Sequence, residues 1–221
     1  KLIQHLTQFI TEDRKKLFDE KINHRTKHIT IVLEDIFQAR NISASIRSAD
    51  CFGIQNIHII ENRNQHLTHP SISLGSSKWL TKTIYNKQKE NTQHCLEKLR
   101  NDGFQILATT PYAKKNIYDV NTDDNKIALL FGSEQEGLSE IGLELADEKI
   151  TIPMFGFTES YNISVAAALC IQSLIQKIRA SNKDWQLSDK EQDIVLLGWL
   201  RNSIKESSGI EKRFLQKMKE I

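Results

Sequence analysis

Cysteine is scarce in this chain and forms no pattern. Cys51, Cys95 and Cys170 are the three among 221 residues. They are odd in number, scattered, and in neither a C-x-x-C nor a Cys/His ligand spacing, which argues for a reducing compartment and against a structural metal. No zinc site is expected. Charge of one sign is lacking too: 30 basic against 28 acidic residues leave a formal +2, too little to imply nucleic acid by itself, and the basic residues could all be solvated surface. Long hydrophobic runs are absent. The best, Ile163 to Ile175, is too short and too interrupted by Gln172 to span a bilayer, and the first residues lack the apolar region of a signal peptide. A cytoplasmic protein without a membrane segment is the expectation. Missing as well are G-x-G-x-x-G after the first strand, G-x-x-x-x-G-K-[ST], H-E-x-x-H and G-x-S-x-G, which removes the usual dinucleotide, phosphate, zinc-hydrolase and serine-hydrolase sites.

What is present is an ordinary globular composition, 39% hydrophobic and 26% charged, in a chain long enough for one domain with terminal extensions. From Ile29 to Ile152 short β-rich runs alternate with helical patterns, the signature of a largely parallel sheet covered on both faces. Five strands are predicted: 28 to 34, 56 to 60, 104 to 110, 126 to 132 and 149 to 153. Helices are predicted at Ile42 to Phe52, stopped by Gly53, at Asn91 to Asn101, stopped by Gly103, and at Ser139 to Ala146. This gives an α/β domain over residues 28 to 180, between helical extensions at 1 to 27 and 181 to 221.

In the first extension Thr11 is a plausible N-cap before Glu12 and Asp13, followed by the basic cluster Arg14, Lys15 and Lys16. In the second, Ser188 with Glu191 and Ser208 with Glu211 each have capping-box spacing. Lys212 and Arg213 follow, but the interspersed acids favour solvated helix faces over a dedicated basic patch.

An open α/β sheet binds ligands beyond the carboxyl ends of its strands, here the loops TTPYAKK, FGSEQEG and PMFGFTESYN. The last runs into the most informative stretch, FTESYNISVA, where Ser160 and Asn162 open an almost unbroken apolar helix and free N–H groups can meet a ligand's oxygens. A near copy, QARNISASIRSADCFG, has Asn41 opening a helix that carries Arg47. Gly132 lets a ligand approach the backbone with Glu134 beside it; equally, Gly132 ends a strand and Glu134 caps or flanks the next helix. Asn41 can be an N-cap alone. Six helical residues turn through about 600°, so Asn41 and Arg47 do not share a face. Arg47, among Ile46, Ala49 and Phe52, needs an anion: a carboxylate of the protein or a phosphate of a substrate.

NISASIRSADCFG, LLFGSEQEGLS and IPMFGFTESYNISVAAAL, in that order, resemble the three motifs of the SpoU/TrmH ribose 2′-O-methyltransferases of the SPOUT superfamily. LGSSKWL and the ILATT strand resemble the same family between them, so that the likeness covers roughly residues 28 to 180. The resemblance implies a deep C-terminal trefoil knot holding S-adenosylmethionine, which no sequence rule would suggest. It implies functional roles for Asn41, Arg47, Glu134, Ser160 and Asn162, and a methyl donor against Thr109, Gly132, Ile152, Met154, Tyr161 and Ile163. It implies a homodimer with its active site at the subunit interface. Tyr161 stands where leucine is usual, Arg40 where histidine often precedes the asparagine, and the late-helix arginines of tRNA-specific members are unmatched at Gln176 and Ile178, although Lys177 and Arg179 are adjacent.

The implied chemistry is methyl transfer to a ribose 2′-hydroxyl, so the substrate is expected to be RNA. Only residues 1 to 27 precede the first strand, where ribosomal-RNA members often carry a whole domain. With the helical C-terminal extension this favours tRNA, and guanosine 18 of its D loop. Arg14, Lys15, Lys16, Arg40, Lys212 and Arg213 are the candidate RNA contacts. Ribose methylation at another tRNA or ribosomal position is the alternative, and a non-catalytic RNA-binding or ribosome-assembly protein on the same fold is the alternative of another class.

Overall fold

The computed structural model describes residues 1–64 and 73–219. The chain divides into two compact units, Thr26–Trp185 and a second made of Lys1–Arg25 with Gln186–Ile221. The two terminal extensions thus belong to one unit rather than to two.

The larger unit is built on a sheet of seven strands: β1 (Ile29–Glu34), β2 (Asn56–Ile60), β3 (Thr81–Tyr85), β4 (Phe104–Thr109), β5 (Lys115–Asn116), β6 (Lys126–Phe131) and β7 (Glu148–Thr151). Their order is β3-β2-β1-β6-β4-β7-β5 and every pairing is parallel. Two strands beyond the predicted five, β3 and β5, occupy the two edges. Their absence from the sequence reading has a physical cause. Central strands are buried on both faces and read as apolar runs; β1 is buried at all six positions. β3 is TKTIY with only Tyr85 buried, and β5 is two half-buried polar residues, the composition expected of an edge.

Alternation along the strands separates two cores. Ile29, Ile31 and Leu33 join Ile127, Leu129 and Phe131 on one face, against Ile42, Ile46 and Ala49 of α3 (Ala39–Cys51) and Ala167, Ile171 and Leu174 of α6 (Ile163–Ala180). Val32, Ala128 and Leu130 face the other way, with Ile106, onto Cys95, Leu96 and Leu99 of α4 (Asn91–Asn101). The short α5 (Glu140–Glu144) starts at Ser139, whose hydroxyl accepts from Gly142 N. That hydroxyl also donates to Glu34 at the buried end of β1 (2.7 Å), where Thr92 of α4 donates as well (2.6 Å). The stops predicted at Gly53 and Gly103 carry φ of 81° and 84°, the left-handed geometry that ends a helix most cheaply at glycine.

By length and composition alone α6 could cross a membrane. It is longer than the apolar run read from sequence. Its stripe from Ala167 through Cys170, Ile171, Leu174 and Ile178 is buried in the first core. Near its end Lys177 donates to the carbonyls of Tyr118 and Val120 (2.5 and 2.9 Å), while Arg179 reaches the carbonyl of Phe52 and stacks over Trp185. These two cations are engaged in holding the fold.

The smaller unit contains α1 (Leu2–Thr7), α2 (Glu12–Ile22), α7 (Asp189–Ser203) and α8 (Ser207–Lys219). Thr11 accepts from Arg14 N (3.2 Å) as the predicted N-cap, and Ser188 with Glu191 forms the predicted capping box. The second box does not form: Ser208 lies within α8, and Glu211 is taken by Arg201 through two hydrogen bonds of 3.0 and 2.5 Å. Phe18 packs on Trp199 with Arg25 over the same indole.

Candidate active site

Loops at the carboxyl ends of β4, β6 and β7 surround a cavity of about 610 Å³ together with the entry of α3, within the range of small-molecule sites. Its apolar floor is Phe131, Ile150, Ile152, Ile163, Ala166 and Cys170. Burial holds the Cys170 thiol protonated, pushed up to about 12, so it belongs to the floor and not to the chemistry. Two carboxylates, Glu134 and Glu136, line the wall, and among the described residues no lysine, arginine or histidine does.

A chain of amide hydrogen bonds ties the walls together. Glu134 Oε2 accepts from the backbone N–H of Phe37 (3.1 Å); its Oε1 accepts from Gln38 N (3.4 Å) and from Asn41 Nδ2 (2.6 Å). Asn41 Oδ1 accepts from Asn162 Nδ2 (3.1 Å), and Asn162 Oδ1 accepts from Ser164 N (2.9 Å) and the Ser164 hydroxyl (2.7 Å). An ionised carboxylate only accepts, which fixes the Asn41 amide with its nitrogen toward Glu134. Its oxygen then demands the nitrogen of Asn162, leaving the Asn162 oxygen to cap α6. One negative charge on β6's exit loop thereby sets two amides and the entries of two helices.

Three sequence expectations change in detail. Asn41 is not the N-cap of its helix; Gln38 holds that position, and the buried Asn41 side chain bridges Glu134 and Asn162. Glu134 caps the entry to α3, 96 positions back, rather than the helix that follows it. Gly132 does leave room for a close approach, but the backbone of the same loop fills it: a Cβ there would lie 2.1 Å from Gly137 C and 2.2 Å from Leu138 N. Ser133 and Gly137 exchange two backbone hydrogen bonds over it (2.9 and 3.0 Å).

Of the residues singled out from sequence, Asn41, Glu134, Ser160, Asn162, Thr109, Gly132, Ile152, Met154, Tyr161 and Ile163 all line this one cavity. The Thr109 hydroxyl is spent on Leu130 O (2.8 Å), and Tyr161 closes its own loop by donating to Pro153 O (3.3 Å). Arg47 is not in the lining. It is exposed and, among the described residues, unpaired, so the burial cost that called for an anion does not arise within this chain. Arg40 is exposed on the same helix, seven residues earlier and so on nearly the same stripe. Arg14, Lys15, Lys16, Lys212 and Arg213 are exposed in the smaller unit. Gln38, Glu136 and Tyr112 were missed. The signal for Tyr112 was present, a large aromatic in a loop otherwise small and polar.

Comparison with known proteins places this geometry. The model of the SpoU rRNA methylase family matches residues 28–172. A tRNA (guanosine(18)-2′-O)-methyltransferase of Borreliella burgdorferi is 40% identical over 96% of this chain and 95% of its own length. One of the same name from Thermus thermophilus is 32% identical over 86% and 97%. Among solved structures, the TrmH/SpoU tRNA modifying enzyme of A. aeolicus superposes with a TM-score of 0.76 at 27% identity, covering 88% of this chain and 98% of that one. The matched residues hold the whole sheet, the cavity and all three sequence motifs, and on that likeness the chain belongs to the SpoU rRNA methylase family.

Proposed function

We propose that this protein transfers a methyl group from S-adenosylmethionine to a ribose 2′-hydroxyl of RNA, and that its substrate is guanosine 18 in the D loop of tRNA. The observation that carries the reading is a cavity set among the family's motifs whose lining, among the described residues, has the amide-bound Glu134 and the Arg63-paired Glu136 and no basic side chain. Such a lining offers a phosphate no basic partner, and the Glu134 carboxylate above an apolar floor suits a positively charged sulfonium. Bound there, the donor would supply an electrophilic methyl. Thr109, Gly132, Ile152, Met154, Tyr161 and Ile163 would hold it, in the knotted threading that the family implies. tRNA is favoured over ribosomal RNA by the names of the two relatives above, which span nearly the whole chain.

In-line transfer needs the hydroxyl oriented and relieved of its proton. Asn41, Asn162 and Ser160 orient the hydroxyl, with Glu134 fixing both amides. Arg47, a guanidinium charged at every working pH, holds the phosphate beside the target ribose and stabilises the developing alkoxide, while that phosphate or a water takes the proton.

Arg47 lies outside its own chain's cavity, which supports a homodimer in which Arg47 of one subunit completes the site of the other. The exposed faces of Phe37, Phe155, Phe157, Val165 and Leu169 supply apolar surface for such an isologous contact. Arg14, Lys15, Lys16, Lys212 and Arg213 in the smaller unit, and Arg40 in the larger, are the proposed RNA contacts. A cytoplasmic location fits a tRNA substrate. Mass mapping of ribose methylation in tRNA from cells with and without the gene tests the reading; unchanged guanosine 18 methylation overturns the assignment.

A further inference from the structure

Among the described residues the cavity lining has no basic side chain to grip a phosphodiester chain, and a cation, Arg63, stands just outside it on Glu136, so RNA that presents a ribose to the cavity has to be held at the rim. Arg40 and Arg47 on α3 are available outside the cavity. The loop between β4 and β5 forms part of the rim, and nothing above uses its side chains. It is tied down: Thr110 N donates to Ile150 O (2.9 Å), Ala113 N donates back to Thr110 O (3.4 Å), and Pro111 restricts its own φ.

On this anchored loop Tyr112 lines the cavity with 86% of its surface exposed. Among the described residues its ring stacks on no other ring and its hydroxyl makes no hydrogen bond. Two positions on, Lys114 is exposed and unpaired, whereas its neighbour Lys115 is held by Glu148 at 2.6 Å. A free aromatic face beside a free cation is the combination that holds single-stranded nucleic acid, the ring for a base and the ammonium for the backbone.

Resting on the methyltransferase reading, we propose that residues 110–114 form an RNA-contact loop in which Tyr112 stacks on a base next to the target ribose and Lys114 binds a neighbouring phosphate. Tyr112 is then a substrate-positioning residue that acts on RNA and not on the methyl donor.

The test uses the full chain with a D-arm hairpin carrying 2-aminopurine beside the target guanosine, and the donor in a separate titration. Tyr112→Ala is expected to weaken RNA binding by about 5- to 150-fold, the range of one lost base stack, to abolish quenching of the probe, and to leave donor affinity within about twofold. Tyr112→Trp should keep both, and Tyr112→Leu should keep neither. Lys114→Gln should retain quenching and lower the salt dependence of binding by about one counterion. The proposal is overturned if Tyr112→Ala binds and quenches as wild type, if it loses donor affinity in proportion, or if Tyr112→Leu is as good as tyrosine. Wild-type protein that quenches the probe but transfers no methyl would refute the methyltransferase reading and leave this contact standing. Wild-type activity with an indifferent Tyr112→Ala would do the reverse.

Discussion

Asn41 donates to Glu134 across 2.6 Å, joining the entry of α3 to a loop 93 positions further on. The carboxylate is the fixed end of the amide chain, so Glu134→Gln is expected to be worse than its isosteric shape suggests. A glutamine must turn its NH₂ either toward Asn41 Nδ2 or toward the Phe37 N–H, and both are donors. One unsatisfied donor costs about 1–3 kcal/mol. Urea unfolding and turnover measured on the same variant check this: lower stability with a lower kcat is expected, and wild-type values in both would contradict the relay.

Arg47→Ala is expected to abolish methyl transfer while leaving donor affinity within a few-fold, and Arg47→Lys should also fail because an ammonium lacks the planar fork. The subunit arrangement makes a sharper demand. Mixing Arg47→Ala with Asn162→Ala should restore activity through heterodimers that carry one intact site. No recovery in a mixture shown by native mass spectrometry to exchange subunits would place both residues in the same chain's site.

Gly132→Val should lose donor binding, and it should lose stability too, because the added atoms strike backbone at 2.1 Å. Gly156, with nothing within 4 Å of an added Cβ, is the control: Gly156→Ala should melt and bind as wild type. Calorimetry on both separates a collapsed loop from a merely filled pocket.

The buried His58 accounts for part of the acid sensitivity expected of the fold. Burial, then the nearby Lys98 charge, lowers its pKa to about 4. The unfolded chain takes up this proton near pH 6.5 and the folded chain does not until about 4. The stability contributed by neutral His58 is therefore complete above pH 6.5 and is lost as pH falls from there to 4. The loss is on the order of 3 kcal/mol at most. Denaturant midpoints over that window should fall more steeply for wild type than for His58→Leu; equal slopes would put the sensitivity elsewhere.

Neutralising Arg14, Lys15 and Lys16 together should weaken RNA binding and flatten its dependence on salt, with donor binding unchanged. A smaller effect is expected from Lys212 and Arg213, which alternate with acids. Filter binding across a salt series decides it: unchanged affinity and slope in both would assign RNA recognition to the larger unit alone.

The sequence disclosed what local chemistry dictates. Buried parallel strands such as ITIVLE announce themselves as apolar runs, and Gly53 and Gly103 mark helix ends because few other residues tolerate their φ. Thr11 and Ser188 were legible as caps for the same local reason. Edge strands were not, since TKTIY has the polarity of a loop. Nor were partners distant in sequence. That Glu134 binds Asn41 and the backbone of Phe37 and Gln38 depends on β6 lying beside β1. Likewise, nothing in FGSEQEG says that the loop folds back over Gly132. The burial expected of Arg47 is absent for a related reason: its apolar neighbours in sequence turn inward, while position 47 itself faces out.

Cys51 alone of the three thiols is exposed; Cys95 and Cys170 are buried, each pushed up to about 12. Maleimide reagents at neutral pH will therefore mark the last residue of α3 and spare the cavity floor. The native chain thus offers a ready attachment point for a fluorophore or spin label, on the helix whose opposite end carries Asn41. Movements of that helix on ligand addition can be followed without engineering a cysteine.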